Sequence, residues 1–390
     1  MESIVPISAQ LVAEPIAPTS VHGILAILWF LLIAVLLLGY FILDGFDLGA
    51  GILYPFIAKK EKEKALVRRA VGPLWDGNEV WLLTGGGALF AAFAPAYATS
   101  FSGFYLAIML VLFGLIFRAI AIEYRDRDPK WKKFWDIAFF IGSFLPALLF
   151  GAAIGNVIGG VALVGAGESV SIAGTPLAVG DYSGGFFSLL NPFALLCAIM
   201  GLVAFITQGA AWLALKAPVG SLVHQRAVKM RSLFNIVEIA VFVLVSAFTI
   251  LLVLPNFSEE RTLLPVAYAS AAIVVVGWLV ARLFMNKGND LLSFLATNLI
   301  PVGLIGITAG SIFPNLIPAA DNPVGVLTYF LVPGTDIAAK SITIFNAANS
   351  ELCLTAMTII TGIALPIVLV YHIIIYRTFR GRILDEDLGY

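Results

Sequence analysis

Nine apolar stretches recur along this chain, each long enough to cross about 30 Å of hydrocarbon, for which a helix needs about 20 residues. Their approximate limits are 25 to 43, 80 to 98, 101 to 123, 135 to 163, 192 to 215, 232 to 254, 263 to 285, 292 to 313 and 353 to 376. Lipid offers no partner to an unpaired backbone N–H or C=O, so segments that span it become helices or closed barrels. A barrel would need short strands of alternating polarity, and the sequence has none. The chain therefore reads as an all-α polytopic membrane protein of about nine transmembrane helices. Composition agrees, with 60% of residues hydrophobic and 12% charged, against roughly 25% charged in soluble domains.

Basic residues in the connections set the expected orientation. None precedes the first stretch, whereas Lys59, Lys60, Lys62, Lys64, Arg68 and Arg69 follow it. All but three of the 23 Lys and Arg fall on that second side; Arg261 and Lys340 lie opposite, and Arg118 sits inside the third stretch. This places the amino terminus outside and the carboxyl terminus in the cytoplasm. Residues 1–24 form an external tail, 25–376 a single nine-helix domain with external loops near 164–191 and 314–352, and 377–390 a cytoplasmic tail. The first 22 residues lack a basic start and carry Pro6, Glu14, Pro15 and Pro18, unlike a cleavable signal peptide. A net charge of −1 leaves no electrostatic footprint for nucleic acid.

Redox and metal chemistry find few ligands. A membrane haem b needs an axial pair at matched depth, yet the histidines are His22 outside, His224 in a cytoplasmic loop and His372 near the end of the ninth stretch. They form no such pair, and His372 reads as a hydrogen-bonded structural residue. Cys197 and Cys353 lack a Cys-x-x-Cys pattern and read as small buried hydrophobes, with a disulfide between them as the alternative. Phosphate loops and nucleophile elbows are missing. Glycines at four-residue spacing, Gly45 and Gly49, Gly151, Gly155 and Gly159, Gly306 and Gly310, together with Gly85 to Gly87, suit close helix contacts. Pro146, Pro301 and Pro366 are expected to kink their helices.

Two acidic clusters interrupt the apolar pattern. Asp44 and Asp47 follow the first stretch, and Asp76, Asn78 and Glu79 lead into the second between Trp75 and Trp81. Ionisable groups at membrane depth cost several kcal/mol and mark ion or proton pathways. Residues 25 to 57 as one helix would run about 50 Å, so the helix either projects beyond the membrane or breaks near Gly45. Asp44 and Asp47, three apart, share a face if the turn is intact. Clustered carboxylates on one side suit a proton relay. Asp76 also suits an N-cap, a role that coexists with relay, and Trp75 and Trp81 suit interfacial anchoring. Gln208, Asn235 and Glu238 read as helix-to-helix hydrogen-bonding groups.

The run FILDGFDLGAG at 41–51, followed by GPLWDGNEVWLLTGGGALFAA at 72–92, resembles subunit II of the cytochrome bd family of quinol oxidases. FRAIAIEYR at 117–125, GSFLP at 142–146, NPF at 191–193, TQGA at 207–210, FPN at 313–315 and SITIFNAANS at 341–350 extend the resemblance over nearly the whole chain. Departures are the long initial tail, an insertion around 325 to 339, and Asn346-Ala347-Ala348-Asn349 where the family favours Asn or Asp, Ala, Ser, Ser. The resemblance implies a multi-pass protein of a prokaryotic cell membrane, paired with a subunit I that carries two haems b, haem d and the quinol site. It also implies a small single-helix subunit, quinol oxidation outside, and dioxygen reduction to water with protons from the cytoplasm. Carried over residue by residue, it makes Asp76 the relay acid, Asp47 and Asp44 its polar entrance, and Asn78 and Glu79 their neighbours, with Trp75 and Trp81 packing near the route. A structural quinone or lipid is a further candidate ligand, and no metal site is implied here. Two alternatives stand beside this one: a stand-alone proton-coupled transporter, and a structural partner whose acids merely cap helices.

Overall fold

The computed structural model describes residues 16–172, 175–182, 184–254, 263–319, 341–384 and 386. The initial tail to residue 15, the inserted stretch at 325 to 339, Arg261 and Lys340 lie outside them. In chain order the helices are α1 Val21–Leu43, α2 Gly45–Ile57, α3 Glu61–Val71, α4 Trp75–Ala92, α5 Ala94–Gly103, α6 Tyr105–Tyr124 and α7 Lys132–Gly159. After a hairpin, β1 Leu163–Ile172 and β2 Thr175–Tyr182, come α8 Pro192–Lys216, α9 Leu222–Phe248, α10 Leu264–Asn286, α11 Asp290–Thr297 and α12 Leu299–Ile312. Strands β3 Asn315–Ile317 and β4 Ile342–Thr343, the short α13 Ile344–Ala347 and the long α14 Glu351–Thr378 complete the order. Among the described residues, eight helices are long and apolar enough to cross a membrane, or nine if one bent pair counts as a span.

That bent pair is a correction. The expected second span, 80 to 98, is α4 followed by α5 at 120°. Pro95, in the first turn of α5, has no N–H for the carbonyl of Ala91 four residues back. Asn349 takes over this end of α4. Its Nδ2 donates to Ala91 O at 2.9 Å and its backbone N to Ala92 O at 2.8 Å. The same chemistry divides the eighth span, where Pro301 cannot donate to Thr297 and the helix breaks at Asn298 between α11 and α12. Pro146 and Pro366, by contrast, lie within helices that continue on both sides of them. The sixth span starts ten residues earlier than its hydrophobicity suggests, because α9 runs from Leu222 through its basic cytoplasmic end.

The first helix projects. Asp44 N donates to Tyr40 O at 2.7 Å and Leu48 N to Asp44 O at 2.9 Å, so the backbone ladder passes through the turn at Asp44. Val21–Ile57 is one apolar stretch of 37 residues, about 55 Å at 1.5 Å per residue. Its far half, α2, is buried almost throughout because it packs between α7 and α8. Close approach depends on glycine here: a Cβ on Gly49 would lie 1.8 Å from Phe205 O, and one on Gly209 would lie 2.3 Å from the Gly49 carbonyl carbon. Gly151 and Gly155 meet α8 at Cys197 and Ala194, and Gly310 meets Ala267 of α10, in the same way. Gly86 and Gly87 are the exception, with open space where a Cβ would go. They line a groove instead of a helix contact.

The expected external loop near 164–191 is largely the antiparallel β1–β2 hairpin, paired from Leu163 with Tyr182 to Ile172 with Thr175. The described parts of the loop near 314–352 form the β3–β4 pair and α13, capped by Thr343. Helix α14 stands apart from the rest. Only Leu354 and His372 are buried along its 28 residues.

Candidate functional site

Four elements bring the acids together. Asp44 sits at the α1–α2 turn, where its side chain makes no capping bond and reaches α6 instead. Arg118 Nη1 donates to Asp44 Oδ2 at 3.0 Å and Nη2 to Asp44 Oδ1 at 2.8 Å, a two-pronged pair with both side chains 0% exposed. The same Nη2 also donates to Glu79 of α4. A planar guanidinium is the cation whose fork matches a carboxylate in this way.

Asp47, one helical turn along the same face, forms the second half. Asn78 of α4 donates through Nδ2 to Asp47 Oδ2 at 2.8 Å and to Leu43 O at 2.9 Å. Tyr376 of α14 donates its hydroxyl to Asn78 Oδ1 at 3.0 Å. Asp47 Oδ1 is buried and has no hydrogen-bond partner among the described residues, and Arg118 Nε shares that condition. Buried polar atoms are almost always satisfied, so this pocket of polarity calls for further partners such as water.

Asp76 stands apart from the buried pairs. It lies in the first turn of α4, whose N-cap is Leu74, and makes no capping hydrogen bond. The N-cap role is therefore not the one it plays here, although its charge still faces the favourable end of the helix dipole. Asp76 and Glu79 occupy one end of a groove of about 880 Å³ between α4, α5, α6 and α7. The groove is otherwise mainly apolar, passes over Gly86 and Gly87, and reaches Leu189 and Leu190 at its other end.

The tryptophans separate. Trp81 is 7% exposed, packs on Gly39 of α1 and donates Nε1–H to His372 Nε2 at 3.1 Å, which makes it a packing residue and not an interfacial anchor. His372 Nδ1 faces Val368 O at 2.9 Å. A carbonyl only accepts and an indole N–H only donates, so His372 is the neutral tautomer with its proton on Nδ1. Trp75 is half-buried beside Glu123.

The remaining histidines are also engaged, His22 with Asn349 O and His224 with Asp290. Cys197 and Cys353 are both free thiols. Among the described residues no group of three or more His, Cys, Asp or Glu is placed to hold a metal ion. Gln208 makes its expected helix contacts, donating to Asn298 Oδ1 at 2.7 Å and Ile42 O at 3.2 Å. Asn235 does not; its side-chain atoms are buried without a partner among the described residues.

Sequence reasoning missed two participants. Arg118 was visible as the one cation inside an apolar stretch, and such a residue at membrane depth needs a carboxylate partner. Tyr376 carried no signal, because nothing local ties the end of the last helix to Asn78. A cluster at the helix ends also went unseen: Asp136 accepts from Tyr54 at 2.6 Å and from Lys64 at 2.6 Å, and Arg125 pairs with both Asp136 and Glu61.

Comparison with known proteins places the chain in a family. The family described as cytochrome bd terminal oxidase subunit II matches residues 25–379. The probable cytochrome oxidase subunit 2 of Haemophilus influenzae is 34% identical, over 93% of this chain and 96% of its own length. The cytochrome bd-I ubiquinol oxidase subunit 2 of Escherichia coli is 32% identical, over 94% of this chain and 97% of its own. In fold, the chain resembles the bd oxidase of Geobacillus thermodenitrificans at a TM-score of 0.69 and 14% identity, covering 91% of this chain and 98% of that one. These matches do not favour the stand-alone transporter. The chain belongs to the cytochrome bd terminal oxidase subunit II family and is a multi-pass membrane subunit of a quinol:oxygen oxidoreductase.

Proposed function

We propose that this subunit supplies protons to the oxygen-reducing centre of its partner through Asp76, Glu79, Asp44 and Asp47. Family membership implies a haem-containing complex with a subunit I. The finer assignment is that both haems b, haem d and the quinol site reside in that partner, that quinol is oxidised outside, and that a small single-helix subunit completes the complex. The amino terminus then lies outside and the acidic end of α4 faces the cytoplasm, in line with the basic connections on that side.

The observation that carries this reading is the pair of buried carboxylates behind an exposed one. Asp76 is open to its surroundings, Glu79 is partly open, with its side chain 26% exposed, and Asp44 is fully enclosed. Arg118 bridges Glu79 and Asp44, which holds both carboxylates in place. Asp47 Oδ1, buried and without a partner among the described residues, is the atom where a water of the route would bond. Asn78, itself held by the Tyr376 hydroxyl, fixes the other oxygen of Asp47. This chain's residues hold and hand on protons; the electron chemistry belongs to the partner's cofactors. The apolar groove beside Asp76 has the volume and lining for the isoprenoid tail of a structural quinone or the acyl chains of a lipid.

Asp76→Asn in the assembled complex tests the route. Oxygen consumption is expected to fall by about 10-fold or more, approaching the range in which a positioned acid contributes, with haem content unchanged. Full turnover would contradict the relay, and loss of the complex itself would instead favour the purely structural reading.

A further inference from the structure

The end of α8 borders a second pocket, on the basic side of the molecule. Beyond α14 the chain turns at Gly381, where φ is +101°, a value that glycine adopts without strain. The turn brings the tail back onto α8. Ile383 N donates to Lys216 O at 2.8 Å, and Lys216 Nζ reaches Phe379 O and, at 3.1 Å, Gly381 O. Arg382 is tied to Ala214 O at 2.8 Å and to Asp290 at 2.8 Å.

This folding encloses a pocket of about 130 Å³ whose charged lining is Arg69, Lys216, Arg380 and Arg382. No carboxylate lines it among the described residues. Lys216 is 5% exposed, so its charge is held inside the wall and not at the surface. Asp290 offsets Arg382, but it is shared with Arg231 and His224. Among the described residues, Arg69 and Arg380 make no side-chain hydrogen bond or ion pair. Two exposed arginines with no side-chain partner among the described residues therefore border a cavity whose wall holds a buried ammonium. Positive charges gathered at this density repel one another unless an anion joins them.

We propose that this pocket binds a phosphate group, with Arg69 and Arg380 gripping its oxygens and Lys216 behind them. Guanidinium groups suit phosphate because they offer parallel N–H donors at matched spacing. The position of the pocket at the ends of membrane-spanning helices makes the headgroup of an anionic phospholipid the natural source. A soluble phosphate has the same chemistry and is separated by the test.

The test uses the purified complex, titrated with phosphatidylglycerol or phosphatidylcholine and read by native mass spectrometry. Wild type is expected to retain one more phosphatidylglycerol than the R69Q/R380Q double variant, whose affinity falls about 30-fold, about 2 kcal/mol for two juxtamembrane charges. The R127Q variant, an exposed arginine elsewhere, keeps the lipid, and R380Q alone, in the tail beyond α14, loses part of the affinity. Displacement of the lipid by inorganic phosphate, in wild type but not in R69Q/R380Q, would assign the site to a soluble phosphate. Equal retention of phosphatidylglycerol by wild type, R380Q and R69Q/R380Q would overturn the proposal.

Discussion

Arg118 is fully buried and holds two carboxylates from two other helices. Removing one member of a buried pair strands the other charge and costs about 3–5 kcal/mol. Arg118→Leu is therefore expected to abolish assembly, measured as the yield of haem-containing complex. Arg118→Lys keeps the charge but not the fork and is expected to give an intermediate yield. Wild-type yield from the leucine variant would show that Asp44 does not depend on this partner. The acids themselves were legible in the sequence, because Asp44, Asp47, Asp76 and Glu79 interrupt apolar runs. Their pairing was not, since Arg118 lies in another helix and Tyr376 is 298 residues from Asn78, and only tertiary packing joins them.

Helix α2 shows what close packing demands of an element. Gly49→Ala would place a methyl group 1.8 Å from Phe205 O, so α2 and α8 must move apart. The expected result is a clear loss of thermal stability of the complex, whereas Gly86→Ala, with nothing within 4 Å, leaves the stability of this chain unchanged. Helix α3 adds a pH dependence outside the membrane. Arg125 donates two hydrogen bonds of 3.0 Å to Glu61, and this pairing holds the Glu61 carboxyl below its ordinary value of 4.5. A depressed acid contributes stability above its unfolded value and loses it as pH falls. The Glu61→Gln variant should therefore lose less melting temperature than wild type on passing below pH 4.5. The effect is small, below about 1 kcal/mol, because the glutamate is well exposed. Equal acid sensitivity in both proteins would discount this pair. Most spans could be read from apolar length alone. The bend at Phe93 could not, because it depends on Pro95 being answered by Asn349 from the far end of the chain.

On the scale of the whole molecule, the surface is that of a subunit and not of a finished machine. Helix α14 exposes Ile359, Ile363, Ile367 and Val370, while its buried His372 and its Tyr376 tie it to α4 beside the acids. The groove with Asp76 at its end opens on the same helix, α4. On the proposed route, a proton taken up there would pass inward to Glu79, Asp44 and Asp47, with the redox chemistry left to the partner. The most direct measurement is proton uptake during a single oxygen-driven turnover of the reconstituted complex, followed in wild type and in Asp47→Asn with the haem spectrum as a control for assembly. Uptake and oxygen reduction should slow together in the variant while quinol still reduces the haems. Uptake at the wild-type rate in a fully assembled Asp47→Asn complex would show that protons reach the oxygen-reducing centre by a path that does not involve Asp47.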